Sequence, residues 1–211
     1  MNDLKHFTLE SIEHTQALID RARANLSEKG HHWLEITRDG DKAGVRIFGD
    51  IGHFADDEAT FQNFTVQIGD AKSVELDLDS FGGRGQLGFK LYEFLSNRTT
   101  RAVISGACYS TAYIVALSAK RIVIRPSAKI IIHAARKAVF GDARVMMETA
   151  YKLLQLDKRV KALLLKRLSA RNKSLYLEAE INRCFELEKP VVIDATEAVE
   201  WGFADNVISE P

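Results

Sequence analysis

Three short stretches hold side chains able to do chemistry. In "GACYSTAYIVALSA", Gly106 to Ala119, Ser110 stands where a β-rich run gives way to an apolar helical one. In "KIIIHAA", His133 ends a run of isoleucines. In "DSFGGRG", Gly82 and Gly83 stand between another β-rich run and another helical one. A serine and a histidine at neighbouring strand ends supply what nucleophilic catalysis needs, an imidazole within reach of a hydroxyl proton. A glycine pair turns the backbone tightly and points N–H groups outward, which suits a phosphate or the oxyanion of an acyl-transfer intermediate. Each stretch also has a plainer reading. Serine is a favoured helix N-cap, a glycine pair makes an ordinary strand-to-helix turn, and a strand histidine can be purely structural. Cys108, two residues before Ser110, is either a rival nucleophile or a small buried corner residue. Neither "GxxxxGK[ST]" nor "GxSxG" occurs here, so these are not a P-loop or an α/β-hydrolase elbow.

The elements that must position these groups follow from hydrophobic periodicity. Leu9, Ile12, Ile19, Ala22 and Leu26 recur at helical spacing before Gly30, which predicts an amphipathic helix over 9–28. Strands near Trp33–Thr37 and Ala43–Phe48 flank Arg38-Asp39-Gly40-Asp41, a hairpin pattern. A helix is expected over Asp56 to Ile68. "SVELDLDS", "RAVIS", "KRIVIRP" and "KIIIHA" are strands, with helices in "QLGFKLYEFLSN" and "STAYIVALSA". Strands alternating with short helices indicate an α/β fold of repeated ββα and βα units on a parallel sheet. Gly106-Ala107-Cys108 is expected to be the corner between strand and helix. His133 is the one histidine of six that ends a buried-looking parallel strand, the edge where open α/β sheets bind ligands.

Asp142 to Ser169 predicts one long protruding helix with more than one apolar stripe, among them Val145, Met146, Leu153, Leu154, Leu156, Val160 and Leu164. One stripe can pack on the parent sheet; the second calls for another subunit. "SLYLEAEINRCFE" is a further helix, and "PVVIDATEAVEWGFADNVI" closes the chain with a strand and a helix capped by Asp194 or Thr196. We divide the chain into an N-terminal appendage, 1–38, and a main domain, 39–211.

Composition narrows the functions. The 211 residues, 46% hydrophobic, suffice for a sizeable core without staples. Lys plus Arg equals Asp plus Glu at 29 each, which gives no basic surface for nucleic acid. Two cysteines make neither a disulfide framework nor a zinc site. No apolar leader or 18-residue apolar run occurs, so a cytoplasmic protein without a membrane span is expected, with no metal and no cofactor.

In order and spacing, four segments resemble the ClpP-type serine peptidase family. "DSFGG" stands at the family's Asn-Ser-Pro-Gly-Gly turn, "GACYSTA" at Gly-Gln-Ala-Ala-Ser-Met-Gly, and "SAKIIIHAA" at the strand ending in the catalytic histidine. "ATEAVEWGFADNVI" stands at the Ala-Pro-Glu-Ala-Val-Glu-Tyr-Gly tail, and "VRIFGDIG" resembles the first strand of prophage head-maturation members. The resemblance implies a ClpP/crotonase-like fold, Ser110 as nucleophile, His133 as general base, and the N–H groups of Gly83 and Thr111 as oxyanion hole. It implies a peptide or protein substrate and a ring-shaped homo-oligomer. An AAA+ ATPase or a phage-assembly partner is compatible with it.

Departures from the pattern are specific. Phe81 replaces the family proline, Thr111 the methionine, and "AARKAVFGD" the glycine-rich strand after the histidine. Pro190 falls at the family's orienting aspartate. Glu186, Glu188 and Asp194 are the replacement acids, with Glu188 preferred as the nearest. Two other readings keep the fold: a catalytically silent assembly subunit, or crotonase-like binding and turnover of acyl-thioesters.

Overall fold

The computed structural model describes residues 33–52, 57–171, 174–186 and 190–209, with backbone alone at 174–176 and 186. By contacts the chain divides into two units, Met1–His32 and Trp33–Pro211, and all described residues belong to the second. The helix expected over 9–28 lies outside them.

Alternating residue types build the sheet. In β2 (Lys42–Ile51) and β3 (Ser73–Gly83) every second side chain is buried, placing Val45, Ile47, Val74, Leu76 and Leu78 on one inner face. The hairpin forms as its pattern predicts. β1 (Leu34–Asp39) pairs antiparallel with β2 along its whole length, and Gly40 takes the turn at φ 53°. From β2 onward the pairing is parallel, through β3 to β4 (Thr99–Tyr109). The edge of this order is β5 (Arg121–Ile124) followed by β8 (Asn206–Val207).

On the side away from β3, β4 has two partners. Its first half, Arg101–Ile104, pairs with β5, and its last residues, Ala107–Tyr109, pair with β6 (Lys129–Ile132). β7 (Val191–Ile193) then adds antiparallel to β6. The sheet therefore forks. Gly106-Ala107-Cys108 is strand rather than the corner that the sequence suggests. Its small residues let the carboxylate of Asp79 reach across, accepting the Ala107 N–H at 2.8 Å, while the ladder to β6 continues. The corner is displaced to Ser110.

The helices cover the sheet with the stripes that the periodicity predicts. α1 (Asp57–Ile68) buries Phe64 and Ile68, and α2 (Gly85–Leu95) buries Leu87, Leu91 and Leu95 at i, i+4, i+8. Phe94 meets Phe64 and Phe61 edge-to-face, with centroids at 5.8 and 6.1 Å. All six residues of α3 (Thr111–Ala116) are buried, so this short helix is the hub of the core. α4 (Ala143–Ser169) is continuous for 27 residues, with the Asp142 carboxylate accepting the Val145 N–H at its start. Its last turns bury Leu164, Arg167 and Leu168, whereas Met147, Tyr151 and Leu154 are exposed. α5 (Ser174–Glu186) follows, then α6 (Ala195–Glu200), which opens on a capping box between Asp194 and Glu197.

One polar cluster ties the end of α4 to the C-terminal segment. Arg167 donates from Nε to the carbonyls of Gly202 and Phe203, while Arg171 holds Asp205 through two bonds of 2.9 and 2.6 Å. The second oxygen of Asp205 accepts the Ile122 N–H at 2.7 Å. Burial by itself would raise the Asp205 carboxyl. The Ile122 N–H and the two guanidinium groups outweigh burial and hold it below its ordinary value.

Candidate active site

Ser110 is the single non-glycine residue with positive φ among the described residues, at φ 52° and ψ −119°. Holding an L-residue there costs about 1–3 kcal/mol, so the surrounding structure must impose it. Two neighbours do so. The Ser110 N–H donates to Ile131 O at 2.7 Å, which ties the corner to β6, and α3 starts at the next residue. Ser110 occupies the N-cap position, yet its side chain makes no capping hydrogen bond. The residue instead lines a pocket.

The glycine pair abuts this corner. Gly82 and Gly83 have φ of 88° and 145°, a region that favours residues without Cβ. A Cβ on Gly82 would stand 2.6 Å from Tyr109 O and 2.9 Å from Ser110 Cβ. Thr111 donates from Oγ1 to Gly83 O at 3.1 Å, so the end of β3 is fastened to the start of α3. Phe81 packs on Tyr109 with centroids at 5.7 Å, a contact proline could not make by ring quadrupoles.

His133 follows the last residue of β6. Because β4 and β6 are parallel neighbours, with Tyr109 opposite Ile131, Ser110 and His133 leave the sheet at the same edge. Both line one pocket. Its polar members include Ser110, Thr111, His133 and Asp157, and Ile114, Ile132, Leu156 and Val160 form much of the wall. His133 Nδ1 lies 2.7 Å from Ala134 O. A carbonyl only accepts, so Nδ1 carries the proton in this contact. The next residue is anchored as well: Ala135 N–H donates to Asp157 Oδ1 at 2.7 Å.

Asp157 is the residue that sequence reasoning missed. It lies on α4, 24 positions beyond His133, and only the docking of α4 over β6 brings it here. The available signal was its phase: Leu153, Leu156, Val160 and Leu164 form the inward stripe, and Asp157 shares their side of the helix.

The other acids fall out differently. Glu188 lies outside the described residues, as does the side chain of Glu186. Asp194 is engaged as the α6 cap, accepting the Glu197 N–H at 2.9 Å, and Ile193 beside it pairs with Ile130 at the far end of β6 from His133. Pairing of Val191 with Ile132 places Pro190, next in the antiparallel ladder, at the level of His133. Cys108 is fully buried within β4, and burial followed by the charge of Asp79 pushes its thiol far above the ordinary range, so it is a small buried strand residue rather than a rival nucleophile. Burial pushes the Cys184 thiol up to about 12, and its Sγ contacts Ile132 O at 3.4 Å. Among the described residues no group of three or more His, Cys, Asp and Glu is placed to hold a metal ion. No helix among them is long and apolar enough to cross a membrane.

Comparison with known proteins agrees with this architecture. A point mutant of ClpP1 from Listeria monocytogenes superposes with a TM-score of 0.62 at 17% identity, covering 93% of this chain and 96% of that one. That likeness concerns the fold. No curated protein matches the chain in sequence. The model of the Clp protease family matches residues 41–211, the whole sheet from β2 onward together with Ser110 and His133. The chain therefore belongs to the Clp protease family.

Proposed function

We propose that the protein is a serine endopeptidase in which Ser110 attacks the peptide carbonyl and His133 is the general base. The observation that carries this is the strained backbone of Ser110 over the pocket it shares with His133. Nε2 takes the hydroxyl proton as Oγ bonds to the carbonyl carbon, then returns it to the leaving amine. Water, deprotonated by the same nitrogen, hydrolyses the acyl-serine and restores both residues. The N–H groups of Gly83 and Thr111 receive the oxyanion; the Thr111 N–H, in the first turn of α3, has no acceptor within its own helix. Leu156, Ile114 and Val160 suit the pocket to an apolar substrate side chain.

Assembly into a homo-oligomeric ring is part of the same proposal. Met147, Tyr151 and Leu154, at i, i+4 and i+7, form an exposed apolar face on the projecting half of α4.

Pro190 supports a second reading, a catalytically silent subunit, because proline cannot orient an imidazole. A fluorophosphonate separates the two. Mass spectrometry of the assembled protein is expected to find the adduct on Ser110, lost in Ser110→Ala. An unlabelled Ser110 in the wild-type protein makes the silent subunit correct.

A further inference from the structure

Resting on the Ser110–His133 reading, we propose that Asp157 is the positioning acid of this site, holding His133 through the Ala134–Ala135 backbone and stabilising its protonated ring. Three observations converge. Asp157 lines the same pocket as Ser110 and His133. Its carboxylate anchors the Ala135 N–H, fixing the peptide next to the carbonyl that takes the His133 Nδ1 proton. The ladder position beside His133 is taken by Pro190, which has no charge to offer.

The division of labour is unusual for such a site. A carboxylate acting directly on Nδ1 sets both tautomer and charge. Here Ala134 O sets the tautomer, and Asp157 supplies the rigid anchor and the negative charge. Apolar walls lower the local dielectric, which strengthens the attraction between this carboxylate and an imidazolium. Other titratable groups lie on the neighbouring elements. Tyr113 comes from α3 and stays neutral, since burial pushes its hydroxyl up. From α5 comes the neutral thiol of Cys184, on which Asp157 and Arg136 both act. Arg136, beyond β6, is a cation whose charge acts on that thiol. Lys161 on α4 is a second cation, with its ammonium turned to the Phe185 ring at 5.8 Å.

The test is an NMR titration of His133 in the full chain, its signal assigned by loss in His133→Gln. Asp157→Asn keeps an oxygen for the Ala135 N–H and removes the charge. It is expected to lower the His133 pKa by about one unit or more. Glu148→Gln, a neutralised acid on the exposed face of the same helix, is expected to leave it in place. Asp157→Ser, also neutral and able to accept, is the second variant in case Asn does not fold. The fluorophosphonate labelling rate of Asp157→Asn should reach its alkaline plateau at lower pH, with the plateau about tenfold lower for one unit of lost stabilisation. The loss stays far short of about 10⁴, the order expected when the tautomer is lost too. An unmoved His133 pKa in both neutral variants overturns the assignment of Asp157. A wild-type protein that takes no label while the pKa moves overturns the Ser110 reading and leaves the Asp157–His133 coupling standing.

Discussion

Replacing Ser110 by glycine should inactivate the protein and stabilise it. The residue adopts φ 52° and ψ −119°, where a side chain costs about 2 kcal/mol and glycine costs almost nothing. Two terms oppose the gain. Glycine loses about 0.7 kcal/mol more backbone entropy on folding. The half-buried Cβ forfeits about 0.4 kcal/mol of burial, half the value of a methylene. The net is about 1 kcal/mol in favour of glycine, measured against Ser110→Ala, which keeps the strain and also lacks the hydroxyl. For a chain of 211 residues this corresponds to a Tm difference of about 2–4 °C. The assay is urea or thermal unfolding of both variants at one fixed protomer concentration, because assembly makes apparent stability concentration-dependent. Ser110→Gly equal to or below Ser110→Ala would refute the claim that strain is stored at this serine.

Further outcomes are expected. The labelling rate of Ser110 should rise with pH as His133 loses its proton, and Ser110→Ala combined with His133→Ala should hydrolyse peptides no more slowly than either alone, since the pair acts as a unit. The folded pKa of Asp205 is depressed, so its contribution to stability is complete above the ordinary aspartate value of 3.8 and is lost as pH falls through the folded one. Asp205→Asn should therefore flatten the acid limb of a stability-versus-pH curve, and Arg167→Ala, which removes the buried donor of the Gly202 and Phe203 carbonyls, should cost about 1–3 kcal/mol by urea unfolding. Leu154→Glu with Tyr151→Glu should yield a species near 23.6 kDa by analytical ultracentrifugation while the wild type sediments as a larger assembly; an unchanged assembly would show that this face of α4 is not the contact.

Most of the fold was legible because burial repeats with the period of the element. The isoleucines of β6 and the Leu87–Leu91–Leu95 stripe of α2 announce themselves, and Asp142 and Ser169 bound α4 to within a residue. The glycine pair, Ser110 and His133 were legible as strand-end residues, and β4 and β6 do bring two of these ends together. The corner at Gly106 was misplaced for a local reason: small residues signal a turn, whereas here they make room for Asp79 inside a strand. Asp157 was illegible as a site residue because its relation to His133 depends on where α4 lands, a tertiary fact that no spacing along the chain encodes. What its phase on the helix disclosed was only that it faces inward.

The hydrogen bond from Ser110 N–H to Ile131 O has a consequence for how this chain can vary. Ser110 and His133 are 23 residues apart in the chain, yet in space they are separated by one rung of a parallel ladder. Their spacing is inherited from that rung, not from the path of the chain between them. Residues can be gained or lost at the exposed turn around Pro126, between β5 and β6, and the serine and histidine still emerge side by side. Chain length there is free to drift while the chemistry keeps its dimensions, as a ruler laid across two ropes holds its mark however much slack lies beyond.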